Sequence, residues 1–310
     1  MGKLIDGKWI TASIITSNKQ GAFDRPPRTF RNTISEEHPI FKPEKDRYHL
    51  IVSYACPWAH RTLIVRQLKD LAPYISVEVV HPDLNDSGWE LNHNIYGLKY
   101  LYEIYQKAQA DISSTVTVPV LWDKKTETIV NNESSEIIQI LNTAFNDLTG
   151  NHNDYYPAEL RSEIDTWNET IYHAINNGVY KCGFAKHQVP YDTAVDALFS
   201  ALDTVENHLE GRSFLVGEQL TEADVRLITT LLRFDAVYYV HFKCCIKKIG
   251  DYPNLKRYTQ TLFKLDAVKT TTNFEHIIRH YYYSHTNINP HRIIPKINVD
   301  YLGLSYGGSC

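Results

Sequence analysis

Cysteine is scarce and irregularly placed in this chain of 310 residues: there are five, at positions 56, 182, 244, 245 and 310. An odd, unevenly spaced set is neither a disulfide framework nor a zinc-ligand array, and it favours a reducing compartment. No uninterrupted apolar run approaches the length needed to cross a membrane, and there is no internal repeat or low-complexity tract. Neither sign of charge is in excess: 32 Lys and Arg against 36 Asp and Glu leave a net charge of −4, with a pI near 6.4. Such a balance gives no electrostatic reason to expect nucleic acid or a membrane surface as a partner. The stretch Met1-Gly2-Lys3-Leu4-Ile5-Asp6 lacks a signal-peptide apolar region, and Asp6 stands where a myristoylation signal carries Ser or Thr. Gly308-Ser309-Cys310 is neither a prenylation box nor a peroxisomal tripeptide. A cytoplasmic protein is the expectation.

What the chain does have is one conspicuous thiol. Cys56 follows the apolar run Leu50-Ile51-Val52 and begins Cys56-Pro57-Trp58-Ala59, ahead of a segment that reads as a helix over 59–71. Pro57 suits the first helical position, because its φ is already helical and its missing N–H would have had no partner there. The amides and dipole of a helix N-terminus favour thiolate over thiol, which is how a cysteine becomes a nucleophile near neutral pH. His60 and Arg61, one turn on, can add positive field. Ala59 occupies the position where a dithiol redox motif has its second cysteine. Any redox cycle at Cys56 therefore needs a thiol from outside, and glutathione is the natural supplier in a reducing cell.

The length suits about two domains. Residues 1–45 are rich in Arg, Pro, Ser, Thr and Asn, with Trp9, Phe23, Phe30 and Phe41 in no period, and read as an extended arm packed by its aromatics. Residues 46–145 then read as a strand at 48–53, a helix from Pro57, a strand at 76–81, and an insertion over 82–114 that carries Trp89 and a helical stretch at 95–108. A strand at 116–123, its hairpin partner at 128–130 and a helix at 135–143 complete this part. The order βαβ followed by β-β-α is that of a thioredoxin-like α/β fold. Pro119 inside a strand implies an edge, a bulge or a cis bond. After a polar linker at 145–156, residues 157–310 read as all-helical with a C-terminal tail. The helices are expected at 158–176, 191–209, 221–239, 255–265 and 273–282, and Thr221-Glu222-Ala223-Asp224 has the form of a capping box.

A thioredoxin-like domain followed by an all-α domain is the glutathione transferase architecture, and longer motifs narrow the resemblance. Tyr54-Ala55-Cys56-Pro57-Trp58-Ala59-His60-Arg61, Val116-Thr117-Val118-Pro119-Val120-Leu121-Trp122-Asp123, residues 131–137, Asn177-Gly178-Val179-Tyr180-Lys181, Arg233-Phe234-Asp235-Ala236-Val237-Tyr238, His241-Phe242-Lys243-Cys244 and His280-Tyr281-Tyr282-Tyr283-Ser284-His285 resemble the glutathionyl-hydroquinone reductases, the xi-class and omega-like glutathione transferases. The likeness runs from about Trp9 to Pro295.

The resemblance implies roles. Val118, before a cis Pro119, would pair its backbone with the peptide part of glutathione. Ser134 would take the γ-glutamyl carboxylate and Glu133 its ammonium, while Trp89 would lie against glutathione. Tyr180, Tyr238 and Tyr281 would line the pocket for the aromatic moiety, hydrogen-bonding quinol oxygens and stacking on the ring. Read without the family, Pro119 and Trp89 are equally turn and core residues and Glu133-Ser134 equally a helix cap. In a chain with 21 tyrosines many only pack, and the choice within Tyr281, Tyr282 and Tyr283 stays open. His276, His280 and His285 lack the companions of a metal site and read as surface or packing residues. The adjacent Cys244 and Cys245 are expected to be buried. One departure is evident: Ser113-Ser114-Thr115 stands where the family has a basic residue for a glutathione carboxylate, with Lys107, Lys124 or Arg61 as substitutes.

The implied reaction is reduction of a glutathionyl-hydroquinone through a Cys56–glutathione mixed disulfide, with glutathione as co-substrate, no bound cofactor and no metal. The resemblance also implies a homodimer. The alternatives are an omega-like thioltransferase or dehydroascorbate reductase, which would use Cys56 without the tyrosines, and a non-catalytic glutathione transferase-like binding module.

Overall fold

The computed structural model describes residues 2–12, 16–18, 21–24, 27–93 and 95–306, so Cys310 lies outside the described residues. The chain divides into two compact units, one made of Met1–Ile14 with Pro26–Asp154 and the other of Ile15–Arg25 with Tyr155–Cys310.

The first unit is built on a four-stranded sheet in the spatial order Ser76–Val79, Tyr48–Val52, Val120–Asp123, Thr128–Asn131. Tyr48–Val52 runs parallel to Ser76–Val79 and antiparallel to Val120–Asp123, with Ile51 opposite Val120. The parallel pair requires a crossover, and the helix Pro57–Leu68 supplies it. Leu50, Ile51, Val52, Val120, Leu121, Ile129 and Val130 are all buried. Strands covered on both faces read as continuous apolar runs rather than alternations, which is how 50–52 appears in the sequence. The chain then enters the helix Ser134–Thr143, whose apolar Ile137, Ile138 and Leu141 are buried. The βαβ and β-β-α order expected from the residues is the order found.

The expected extended arm is not one piece. Gly2–Ile5 and Lys8–Thr11 form an antiparallel hairpin, and Gly2–Ile5 pairs on its other side with Ser114–Thr115. Asp6 and Gly7 both have positive φ, 47° and 70°, as a two-residue hairpin turn of the primed type requires. A side chain at Gly7 would strike the carbonyl oxygen of Ala110, whose approach would be 1.9 Å. The strand Lys8–Thr11 has no residue fully buried, so no alternation marks it. The short pair Thr16–Ser17 and Phe23–Asp24 belongs instead to the helical unit, where Phe23 packs on Tyr180 at 6.2 Å.

In the helical unit, two of the long helices expected from periodicity are interrupted. The segment 158–176 is the helix Arg161–Thr170 followed by a π-helical turn, Ile171–Asn176. The segment 221–239 is the helix Glu222–Arg233 followed by a second π turn, Phe234–Tyr238. Apolar residues continue through both, so burial periodicity does not mark where i→i+5 bonding begins. Gly178–Phe184 forms a further short helix, and within it Gly183 lies so close to Phe242 that a Cβ would stand 2.2 Å from its ring. Gln188–His208, Pro253–Phe263 and Phe274–Ser284 complete the main helices, and the tail carries a hairpin of Ile297–Val299 with Leu304–Tyr306. Among the described residues no helix is long and apolar enough to cross a membrane.

Cys244 is buried but Cys245 is exposed, contrary to the expectation for the pair. Lys243 takes a positive φ of 58°, and of the two thiols that follow this turn one goes inward and the next faces outward.

Candidate functional site

In the first unit, Cys56 is the N-cap of the helix Pro57–Leu68, with φ −75° and ψ 119°, and Pro57 begins the helix. Its N–H donates to Ser53 O at 3.1 Å, and its carbonyl accepts from His60 N at 2.9 Å. The thiol is half-buried and its Sγ lies 3.8 Å from the carbonyl oxygen of Val118, which precedes the cis Val118–Pro119 bond. Thiol and cis-proline strand, 62 residues apart, are thus brought together. His60 and Arg61 are buried, and the Arg61 guanidinium lies 4.8 Å above the Trp58 ring.

Glu133 is the N-cap of the helix Ser134–Thr143. Its Oε1 accepts from Ser135 N at 3.1 Å and from the hydroxyls of Ser135 at 3.1 Å and Ser134 at 3.4 Å. The Glu133-Ser134 pair therefore does cap a helix, and its carboxylate is held at a helix N-terminus where anions and ammonium partners can be sorted. Trp89 is buried in the insertion, its carbonyl accepting from Leu101 N at 2.9 Å. Residues the sequence reading did not single out hold these parts in place. The buried Tyr105 donates its hydroxyl to Thr117 O at 2.9 Å and accepts from Thr117 N at 3.3 Å and Asn132 Nδ2 at 3.1 Å. One phenol therefore ties the strand before Pro119 to the loop before Glu133. The only signal for it was its place on the apolar face of the insertion helix.

At the position where a basic residue was missed, the strand register sets Lys3 opposite Thr115. Directly opposed residues share a face of the sheet, so Lys3 joins the substitutes named from the sequence. Of those, Lys107 is engaged by Glu127 at 2.7 Å and Arg61 lies on Trp58.

The second unit brings the three tyrosines together. Tyr281 Oη stands 2.6 Å from Tyr180 Oη and 3.0 Å from Tyr238 Oη. Tyr180 is half-buried, whereas Tyr238 and Tyr281 are 0% and 2% exposed. Of the tyrosine triplet only Tyr281 meets the others: Tyr282 Oη bonds Ala236 O at 3.3 Å, and Tyr283 lies beneath Arg279 and Arg292. Burial first, then the neighbouring Tyr180, pushes the Tyr238 and Tyr281 phenols well above their ordinary value of 10, so both remain protonated donors at physiological pH. Phe242 packs against Tyr180 and Tyr238 at 5.3 and 5.4 Å.

Behind Tyr281 lies a histidine pair. His241 Nε2 and His285 Nδ1 are 3.1 Å apart, and both rings pack edge-on to Tyr281. His285 was expected to be a surface or packing histidine, and packing is the role it has. Burial, with Lys243 and His280 adding to it, pushes His241 down to about 4, and burial holds His285 well below its usual range. Both are protonated more readily unfolded than folded. Their contribution to stability is complete above the unfolded value of about 6.5 and is lost as pH falls from there towards 4. For His241 the difference is worth about 3 kcal/mol. The thermal midpoint of the helical unit is expected to fall between pH 6.5 and 4.5, and a His241→Gln variant to show a shallower fall over the same range. Among the described residues no cluster of three His, Cys, Asp or Glu is placed to hold a metal ion.

The chain resembles known proteins over most of its length. Residues 55–144 match the family model described as the glutathione S-transferase N-terminal domain, and residues 188–261 match that of the C-terminal domain. The chain is 47% identical over 309 residues to glutathionyl-hydroquinone reductase YqjG of Escherichia coli (strain K12), covering 95% of this chain and 94% of that protein. The crystal structure of the glutathione-S-transferase Xi from Phanerochaete chrysosporium superposes with a TM-score of 0.88 at 48% identity, over 93% of this chain and 96% of that one. The glutathione-bound structure of YqjG from Escherichia coli K-12 gives 0.83 at 48% identity, over 86% of this chain and 92% of that one.

Proposed function

The chain belongs to the glutathione transferase family, among the glutathionyl-hydroquinone reductases of its xi class, and on that premise we propose that Cys56 and three tyrosines reduce glutathionyl-hydroquinones with glutathione as reductant. The observation that carries the reading is a cysteine at the N-cap position of a helix, its thiol beside the Val118 carbonyl, with no second cysteine in its motif. The Cys56 thiolate attacks the glutathione sulfur of the conjugate. The carbon–sulfur bond breaks, its electron pair passes to the ring, and the ring carbon takes a proton to leave hydroquinone. Cys56 is left as a mixed disulfide with glutathione. A second glutathione thiolate attacks that disulfide, giving oxidised glutathione and restoring Cys56. The sum is one conjugate and one glutathione converted to one hydroquinone and one oxidised glutathione.

Glutathione is assigned to the first unit. Val118 supplies backbone pairing, and Ser134 with the helix amides receives the γ-glutamyl carboxylate. Glu133 meets the ammonium, and Trp89 flanks the tripeptide. Tyr180, Tyr238 and Tyr281 are assigned to the ring and its oxygens, where hydrogen bonds aimed at developing charge lower the barrier. The assignment includes a homodimer in the cytoplasm, and sedimentation equilibrium at micromolar concentration reads the first of these.

The test is steady-state turnover of the benzohydroquinone or menadione conjugate of glutathione, following both hydroquinone and oxidised glutathione. Tyr180→Phe is expected to lower that turnover by about 10- to 100-fold, while a small glutathione mixed disulfide is processed within about twofold of wild type because its cleavage needs no phenol. Activity confined to the mixed disulfide in wild type would make the protein a thioltransferase instead.

A further inference from the structure

The cysteinyl sulfur of glutathione has to reach Cys56 Sγ, which lies 3.8 Å from Val118 O. The γ-glutamyl end is assigned to Glu133 and Ser134, and the sheet register places these along the strand. Asn131 lies opposite Leu121 on antiparallel strands, so the chain runs on towards Pro119 before it reaches Glu133. With its γ-glutamyl end on that side of Val118, an extended tripeptide sends its glycyl end the other way, back past Thr117 and Val116 towards Thr115.

There Gly2–Ile5 pairs with Ser114–Thr115, and Lys3 is directly opposite Thr115. Opposed residues on neighbouring strands share a face. Gly2–Ile5 alternates buried and exposed residues, and Lys3 is on its exposed side. Thr115 is three residues from Val118, about 10 Å along an extended strand. An extended peptide covers about 6–7 Å from its cysteinyl residue to the glycyl carboxylate, and the flexible four-carbon stem of a lysine spans what is left.

Other cations are less well placed. Lys107 is held by Glu127 at 2.7 Å, and Arg61 is 1% exposed with its guanidinium on the Trp58 ring. Lys124 lies past the far end of Val120–Asp123, and Lys8 is opposite Ile5 at the turn end of the hairpin. Arg28 is the rival, since it precedes Thr29, whose hydroxyl is 2.9 Å from Ser114 Oγ. Among the described residues no carboxylate is paired with Lys3.

We propose that Lys3 holds the glycyl carboxylate of glutathione, which makes the N-terminal hairpin part of the glutathione site. The inference rests on the glutathione site assigned above and deepens it by naming the cation that Ser113-Ser114-Thr115 lacks. An ammonium–carboxylate contact at a solvent-open edge sets affinity and its salt dependence. Lys3 has no part in the chemistry at the sulfur or at the ring.

The experiment is calorimetric titration with S-methylglutathione and with its glycyl ethyl ester, using wild type, Lys3→Ala, Lys3→Arg, Lys8→Ala and Arg28→Gln. S-methylglutathione has no free thiol, so binding is read apart from turnover. Lys3→Ala is expected to bind it about fivefold more weakly than wild type, and Lys3→Arg within about twofold of wild type. The ester carries no glycyl charge and is expected to bind wild type and Lys3→Ala alike. Added salt is expected to weaken wild type more than Lys3→Ala. In turnover of the menadione conjugate, Lys3→Ala is expected to raise KM with kcat unchanged, the mark of binding lost equally from ground and transition states.

Three results overturn the proposal: S-methylglutathione bound equally by Lys3→Ala and wild type, acid and ester weakened alike by Lys3→Ala, or a loss in Lys8→Ala or Arg28→Gln as large as that in Lys3→Ala. Wild type that shows the Lys3 dependence but turns over no quinol conjugate leaves Lys3 in place and overturns the reductase reading. Wild type that does not bind S-methylglutathione overturns both.

Discussion

Replacing Cys56 by serine is expected to reduce turnover of a glutathionyl-hydroquinone by at least ~10³-fold, to the background rate. A serine hydroxyl is a far weaker nucleophile towards sulfur near neutral pH, and it cannot form the disulfide on which the second half-reaction operates. The motif itself supplies no second thiol, because Ala59 stands at the position of a resolving cysteine. Two readouts separate loss of chemistry from loss of fold. Wild type treated with oxidised glutathione should carry one glutathionyl group at Cys56 by peptide mapping, and Cys56→Ser should carry none there. The circular dichroism and thermal midpoint of the two should agree, since a half-buried Sγ at 3.8 Å from a carbonyl contributes little to stability. Normal turnover by the serine protein would remove the mixed-disulfide scheme altogether.

The largest effect on stability is expected at Asp224. Its side chain is the third residue of the helix that Thr221 caps, and no part of it is exposed. Oδ2 accepts from Thr221 N at 2.8 Å and Thr221 Oγ1 at 2.9 Å, while Oδ1 accepts from Leu215 N at 2.9 Å and Tyr258 Oη at 2.7 Å. Asp224→Ala strands four donors in a region that water does not reach. One lost cap costs about 1 kcal/mol and each unsatisfied buried donor about 1–3 kcal/mol before relaxation. We expect a net loss of about 3–5 kcal/mol in urea unfolding, the upper end of what single substitutions do. Asp224→Asn keeps one carbonyl acceptor and is expected to cost roughly half as much. A loss below about 1 kcal/mol for the alanine variant would show that the loop before the helix relaxes to satisfy its own amides.

The capping box at Asp224 was legible because its logic is local: Thr221 and Asp224 sit within one helical turn, and residue type with spacing is enough. The same holds for Cys56 before Pro57 and for the strand and helix order of the first unit, where burial periodicity and a proline carry the pattern. The Asp6-Gly7 turn was just as local, yet its flanking strands are only four residues long, and the second, Lys8–Thr11, has no buried residue to mark an alternation. The two π turns were illegible for another reason. An extra residue per turn leaves the apolar pattern nearly intact, so 158–176 and 221–239 read as continuous helices.

Contacts across long separations were beyond any pattern. His241 meets His285 across 44 residues, and Tyr180 meets Tyr281 across 101. Tyr105 holds both Thr117 and Asn132, and Lys3 faces Thr115 only because a hairpin pairs with the strand before Pro119. Each of these depends on which surfaces pack together, and a sequence window of one or two turns contains no information on that. By itself the sequence determined where a thiol would meet a helix N-terminus, the order of strands and helices, and the family motifs, because these depend on propensity, spacing and residue type. Only the tertiary structure decided that Tyr281 rather than its neighbours joins the other phenols and that Tyr180 alone among the three is partly open to solvent. Close packing of distant segments sets burial and hydrogen-bond partners, and those in turn set which phenol solvent can reach.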